Sequence, residues 1–161
     1  MQARFVGGVK GRDENNYTLP GSPALRAGSF TIHYAERCPM YKLLIVDDEA
    51  DVLFFLKTFF QTKNFEVHTA QSGEEAIQKV KEVRPHIVLL DIIMPGMGGL
   101  EALKQIKEID PAIGVIMATA VLDDSTAKKA LELGAYDYVC KPFDLEYMET
   151  TVLIKLIKMI G

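Results

Sequence analysis

The chain has 161 residues, room for one domain of ordinary size and some surplus. Apolar residues make up 48% and charged residues 25%, as in a soluble globular protein. A net charge of −4 does not advertise nucleic-acid binding, and two cysteines, Cys38 and Cys140, are too few for a disulfide scaffold and read as reduced thiols.

Residues 1–40 stand apart. They hold five Lys/Arg against three acids, whereas the remainder holds thirteen against nineteen. Gly-Gly, Asn-Asn and Pro-Gly-Ser stretches read as loop, and no apolar core of a secretory signal is present. This segment is expected to be a flexible or expression-derived extension, with Met40 as the natural start of a domain over 41–161.

From Tyr41 short apolar runs recur every ~20–26 residues: KLLIV, FEVHTA, HIVLL, AIGVIMA and YDYVC. The segments between them read as helices. Residues 49–62 place Val52, Phe55 or Leu56, and Phe59 or Phe60 at spacings of three and four, so the Phe-rich helix (Phe54, Phe55, Phe59, Phe60) reads as core and packing surface. SGEEAIQKVKEV opens with a capping box, Ser72 to Glu75, and GLEALKQIKEI sets Leu100, Leu103 and Ile106 on one arc. DDSTAKKALELGA has Gly134 in the C-cap place, and the last segment, from Asp144 to Ile160, is helical in period. Lys155 and Lys158 break its apolar run, which excludes a membrane span.

Five strands alternating with five helices predict an α/β fold, a doubly wound, five-stranded parallel sheet in a three-layer, flavodoxin-like sandwich. Such a sheet binds ligands at the carboxyl ends of its strands, where strand order reverses. Those ends carry Asp47 and Asp48, then Asp91, Thr119 and Lys141. Each alone reads as a turn or cap residue; their meeting on one rim is what points to a site. Two carboxylates about 4 Å apart repel by about 4 kcal/mol at an effective dielectric of about 20. Such a cluster takes up a proton or binds a cation, and magnesium suits all-oxygen donors. Gly96, Gly98 and Gly99 fit no nucleotide-binding pattern and read as a flexible turn after Pro95, and His33, His68 and His86 read as structural.

LLIVDDEADV, IVLLDIIMPGMGGLEAL, VIMATA and YDYVCKPF closely resemble the receiver domain of two-component response regulators, over residues 41–160. The resemblance implies a phosphorylation-activated switch. Asp91 would be the phosphoryl acceptor. Asp48, Asp91 and the Ile93 carbonyl would ligate Mg2+, with Asp47 holding a metal-bound water. Thr119 and Lys141 would receive phosphoryl oxygens, Thr119 and Tyr138 would form the switch, and the Lys141–Pro142 peptide would be cis. The implied partners are a sensor histidine kinase or phosphotransfer protein, a downstream output domain or effector, and a second copy on phosphorylation, in the cytoplasm, with no nucleic acid or membrane. Chemistry would be limited to self-phosphotransfer and auto-dephosphorylation. The alternative is an aspartate-nucleophile phosphatase on a similar sheet, which wants an acid/base aspartate two residues past its nucleophile, where this chain has Ile93.

Overall fold

The structure is a computed structural model that describes residues 40–120 and 124–160. The expected extension, with Cys38 and His33, and residues 121–123, the last of which opens the fourth expected helix, lie outside the described residues, save Met40.

Strands and helices alternate: β1 Lys42–Val46, α1 Ala50–Gln61, β2 Glu66–Ala70, α2 Gly73–Val83, β3 Ile87–Asp91, α3 Gly99–Ile109, β4 Gly114–Thr119, α4 Asp124–Glu132, β5 Asp137–Cys140 and α5 Leu145–Ile160. All four strand pairings are parallel, in the order β2-β1-β3-β4-β5, the doubly wound sheet the sequence predicts. Connections run from β1 to one edge and then, through β3, to the other. Strand order therefore reverses between β1 and β3.

The apolar runs of the inner strands serve two cores at once. Leu44, Val46, Val88, Leu90, Val115 and Met117 face one side, against Ala76 and Val80 of α2, Leu103 and Ile106 of α3 and Ala130 of α4. Leu43, Ile45, Ile87, Leu89, Ile116 and Val139 face the other, against Leu53, Leu56 and Phe60 of α1 and Met148, Val152 and Leu156 of α5. Side chains alternate across a strand with a period of two, so a strand covered on both faces needs apolar residues at every position. Each such side chain contributes about 1.5–3 kcal/mol on burial.

Helix ends follow local chemistry. Ser72 caps α2 by accepting the Glu75 N–H at 3.2 Å. The return arm differs from a standard capping box: Glu75 Oε2 accepts the N–H of Gln71, one residue before the cap, at 2.8 Å. After α4, Gly134 (φ 96°) donates its N–H to Leu131 and Ala135 donates to Ala130, both at 3.0 Å, a complete Schellman stop at the expected glycine.

The face of α1 differs from the expectation. Leu53, Leu56 and Phe60 are buried, Val52 and Phe59 are partly so, and Phe54 and Phe55 are 74% and 51% exposed. Apolar residues surround this helix, so spacing alone leaves its inward register open by one residue. Packing against Phe65 and the sheet decides it.

Candidate functional site

Asp47 and Asp48 lie immediately beyond β1, and Asp91 closes β3, the neighbouring strand. They flank the reversal point of the sheet, and each offers an oxygen within 4.8 Å of the others. Asp47 and Asp91 are 2% and 4% exposed, whereas Asp48 is open to solvent. A buried carboxylate at the end of an apolar strand has its position set by the strand and its chemistry by its neighbours on the rim.

Lys141, just past β5, crosses to both buried acids. Its Nζ lies 2.6 Å from Asp47 Oδ2 and 2.7 Å from Asp91 Oδ2, with Glu49 Oε1 at 3.7 Å. The remaining oxygen of each buried acid accepts a backbone N–H two residues on, from Glu49 at 2.9 Å and from Ile93 at 3.1 Å. Burial pushes the Lys141 ammonium down, but hydrogen bonds to Asp47 and Asp91 and their charges outweigh it, and its pKa stands above the ordinary lysine value. The site thus sets one lysine ammonium against the acidic side chains of Asp47, Asp91 and Glu49, with Asp48 beside the two buried acids.

Thr119 ends β4 and is 3% exposed. It is seated beside the lysine because the Lys141 N–H donates to the Thr119 carbonyl at 2.7 Å. The Lys141–Pro142 peptide is cis, as the resemblance implies. Ile93 is two residues past Asp91 with a 57% exposed side chain. Tyr138 lies on β5, opposite Met117 of β4, half-buried against the core beneath α2, α3 and α4. The structure therefore brings Asp47, Asp48, Asp91 and Lys141 into one cluster, sets Thr119 next to it, and places Tyr138 farther down the edge strand. His68 pairs with Glu66 at 2.8 Å, and His86 Nδ1 accepts the Lys42 N–H at 3.0 Å, both away from the rim.

The glycines after Pro95 do more than turn the chain. Gly96 adopts a φ of 75°, which favours glycine. At Gly99 a side chain would collide with the Asp91 carbonyl, so the start of α3 packs directly on the backbone of Asp91. Glu49, on the site's edge, is a second feature sequence reasoning passed over. Its only signal is adjacency to the Asp47–Asp48 pair.

The donor set fits a hard divalent cation: oxygens only, carboxylates from adjacent strands, and no described His or Cys among them. No helix among the described residues is long and apolar enough to cross a membrane.

Similar proteins share this arrangement of strands and helices. The chain is 42% identical to the regulatory protein AtoC of Escherichia coli over 111 residues, which are 69% of this chain and 24% of that protein. It is 44% identical to the chemotaxis protein CheY of Listeria monocytogenes over 108 residues, 66% of this chain and 91% of that one. Sporulation initiation phosphotransferase F of Bacillus subtilis is 38% identical over 111 residues, 69% of this chain and 90% of its own length. Among solved structures, the BeF3-activated DrrB receiver domain superposes with a TM-score of 0.68 at 35% identity, covering 73% of this chain and 97% of its own. A CheY-like receiver domain from Methanospirillum hungatei gives 0.72 at 27% identity, covering 74% and 96%. The family model of the response regulator receiver domain matches residues 43–153, and the chain belongs to that family.

Proposed function

We propose that this chain is a phosphorylation-activated switch in which Asp91 accepts a phosphoryl group from a sensor histidine kinase or phosphotransfer protein. The observation that carries the reading is the meeting of Asp47, Asp48 and Asp91 at the reversal point of the sheet, with the Lys141 ammonium bound to Asp47 and Asp91. An Asp91 oxygen would form a bond to phosphorus as the phosphorus–nitrogen bond of phosphohistidine breaks. The imidazole leaves, and Asp91 becomes an acyl phosphate. Lys141, now paired with Asp91 at 2.7 Å, would follow the charge onto a phosphoryl oxygen, and the Thr119 hydroxyl would donate to another.

Asp48, Asp91 and the Ile93 carbonyl would hold Mg2+, with Asp47 beside them on a metal-bound water. The ion, when bound, supplies the positive charge that lets an anionic phosphoryl group approach an anionic nucleophile. Movement of Thr119 toward the phosphoryl group would open space for the Tyr138 ring, shifting the surface around α4, β5 and α5 by selection between two packings. That surface would engage an output domain, an effector or a second copy. Leu153, Ile154 and Ile157 of α5, 43%, 44% and 68% exposed, give it apolar area. The chemistry stays with Asp91 itself, as self-phosphotransfer and auto-dephosphorylation, in the cytoplasm, without direct nucleic-acid contact. Residues 1–40 remain, in this reading, an extension outside the switch.

A phosphatase on a similar sheet is disfavoured by Ile93, an aliphatic side chain where a proton donor to a leaving alcohol is wanted. Incubation with Mg2+ and acetyl phosphate separates the two. Stoichiometric labelling lost in Asp91→Asn supports the switch; sustained phosphate release from many esters overturns it.

A further inference from the structure

The first turn of α2 holds two neighbouring glutamates with different tasks. Glu75 serves its own helix, accepting the Gln71 N–H at 2.8 Å. Glu74 reaches away from the helix and accepts the N–H of Met97 at 3.0 Å, across 23 positions of chain. Met97 belongs to the loop 92–98 that leaves Asp91 and carries Ile93.

Three further observations mark this seam as built. A side chain at Gly73 would lie 2.5 Å from the Met97 carbonyl oxygen and 2.8 Å from its Cβ, so the helix start rests on that residue with nothing between. Gly96, at φ 75°, brings the chain so close that an added Cβ would stand 3.1 Å from Glu74 Oε1. Hydrogen bonds from its own backbone N–H and then from Met97 hold the Glu74 carboxyl below the usual glutamate range, against a smaller effect of burial.

The near end of the loop is fixed independently. Ile92 donates its N–H to Ala118 at 3.1 Å, Gly99 donates to the Ile92 carbonyl at 2.9 Å, and Ile93 donates to Asp91 Oδ1 at 3.1 Å. Between these anchors and Met97 lies the stretch whose Ile93 carbonyl would ligate the proposed cation. With only this base closed and the middle of the loop untied, that carbonyl would sample more directions. With Met97 also held by Glu74, it is preorganised.

We propose that Glu74 is a positioning residue for phosphoryl transfer, tying the loop after Asp91 to α2 through Met97 and so fixing where the Ile93 carbonyl stands. The assignment rests on the function proposed above for that site. It differs from the ordinary use of an acid in a first helical turn, where negative charge against the helix dipole is what counts. Glu74→Gln removes the charge but keeps an acceptor for Met97, whereas Glu74→Ala removes both.

The test compares wild type, Glu74→Gln and Glu74→Ala in three measurements: hydrogen exchange of the Met97 amide in magnesium-free protein, the magnesium dissociation constant by calorimetry, and the rate of labelling by acetyl phosphate. In Glu74→Ala, Met97 exchange speeds up, magnesium binding weakens about three- to tenfold and labelling slows in step. Glu74→Gln restores most of each, and urea midpoints of the three proteins stay close. Alanine and glutamine variants that behave alike, or an alanine variant that binds magnesium as wild type does, overturn the assignment. Wild type that neither binds magnesium nor becomes labelled sinks the proposed function itself, and the assignment with it.

Discussion

At the carboxyl ends of the strands Asp47, Asp91 and Glu49 surround one ammonium, that of Lys141, with Asp48 beside the two buried acids, whereas at the amino ends lysines donate to neutral backbone carbonyls. There His86 takes the Lys42 N–H at 3.0 Å, and the Lys42 ammonium donates to the Val83 carbonyl at 3.2 Å. Lys107 donates to the carbonyls of Ile113 and Pro111 at 2.5 and 3.3 Å. Burial and then repulsion from Lys155 lower its pKa, against a smaller pull from Asp110. The same sheet and the same helices support both rims. What distinguishes the rim read as functional is acidic side chains buried together, a condition that costs stability and that the proposed function accounts for.

The contrast can be broken first at Asp91. Asp91→Asn should abolish acetyl phosphate labelling altogether, measured by intact-mass spectrometry, while the protein stays folded. Lys141→Ala leaves Asp47 and Asp91 buried without their counter-charge. It should cost about 3 kcal/mol in urea unfolding of magnesium-free protein at neutral pH, with part of the loss recovered on adding Mg2+.

The pH dependence of that pair has a defined sign. The folded-state pKa of Lys141 lies above its ordinary 10.5, so its stabilisation is complete below that value and is lost as pH rises through the folded pKa. Stability of magnesium-free wild type should therefore fall at strongly alkaline pH more steeply than that of Lys141→Ala. Parallel curves would show that the ammonium contributes nothing there.

Changes at the opposite rim should be smaller and silent toward function. Lys107→Met is expected to cost about 1–2 kcal/mol and His86→Ala about 1 kcal/mol, each with magnesium affinity unchanged. A lowered affinity in either would mean that the two rims are coupled and that the contrast is too sharply drawn.

The sheet was legible because strands buried on both faces must be continuously apolar, and HIVLL or VIMA can hardly be read otherwise. The meeting of Asp47, Asp48, Asp91 and Lys141 followed from topology alone: parallel strands place all their carboxyl ends on one rim. Tertiary choices were less visible. Whether Phe54 or Leu53 turns inward depends on what α1 packs against, and a helix apolar on every side carries no clear phase. In sequence, Glu74 is one of two first-turn acids of α2. Its bond to Met97 arises from the juxtaposition of α2 with the loop after β3, which no local pattern encodes. The collision awaiting a side chain at Gly99 depends equally on a contact, with the Asp91 carbonyl, that only the folded chain makes.

The most direct measurement is a magnesium titration of the whole chain followed residue by residue by amide NMR. Convergence of the acids on one ion requires a single saturable event, with the largest shifts at residues 47–49 and 91–93 and loss of the event in Asp91→Asn. Shifts that are absent, scattered over the surface acids, or unchanged by that substitution would contradict it.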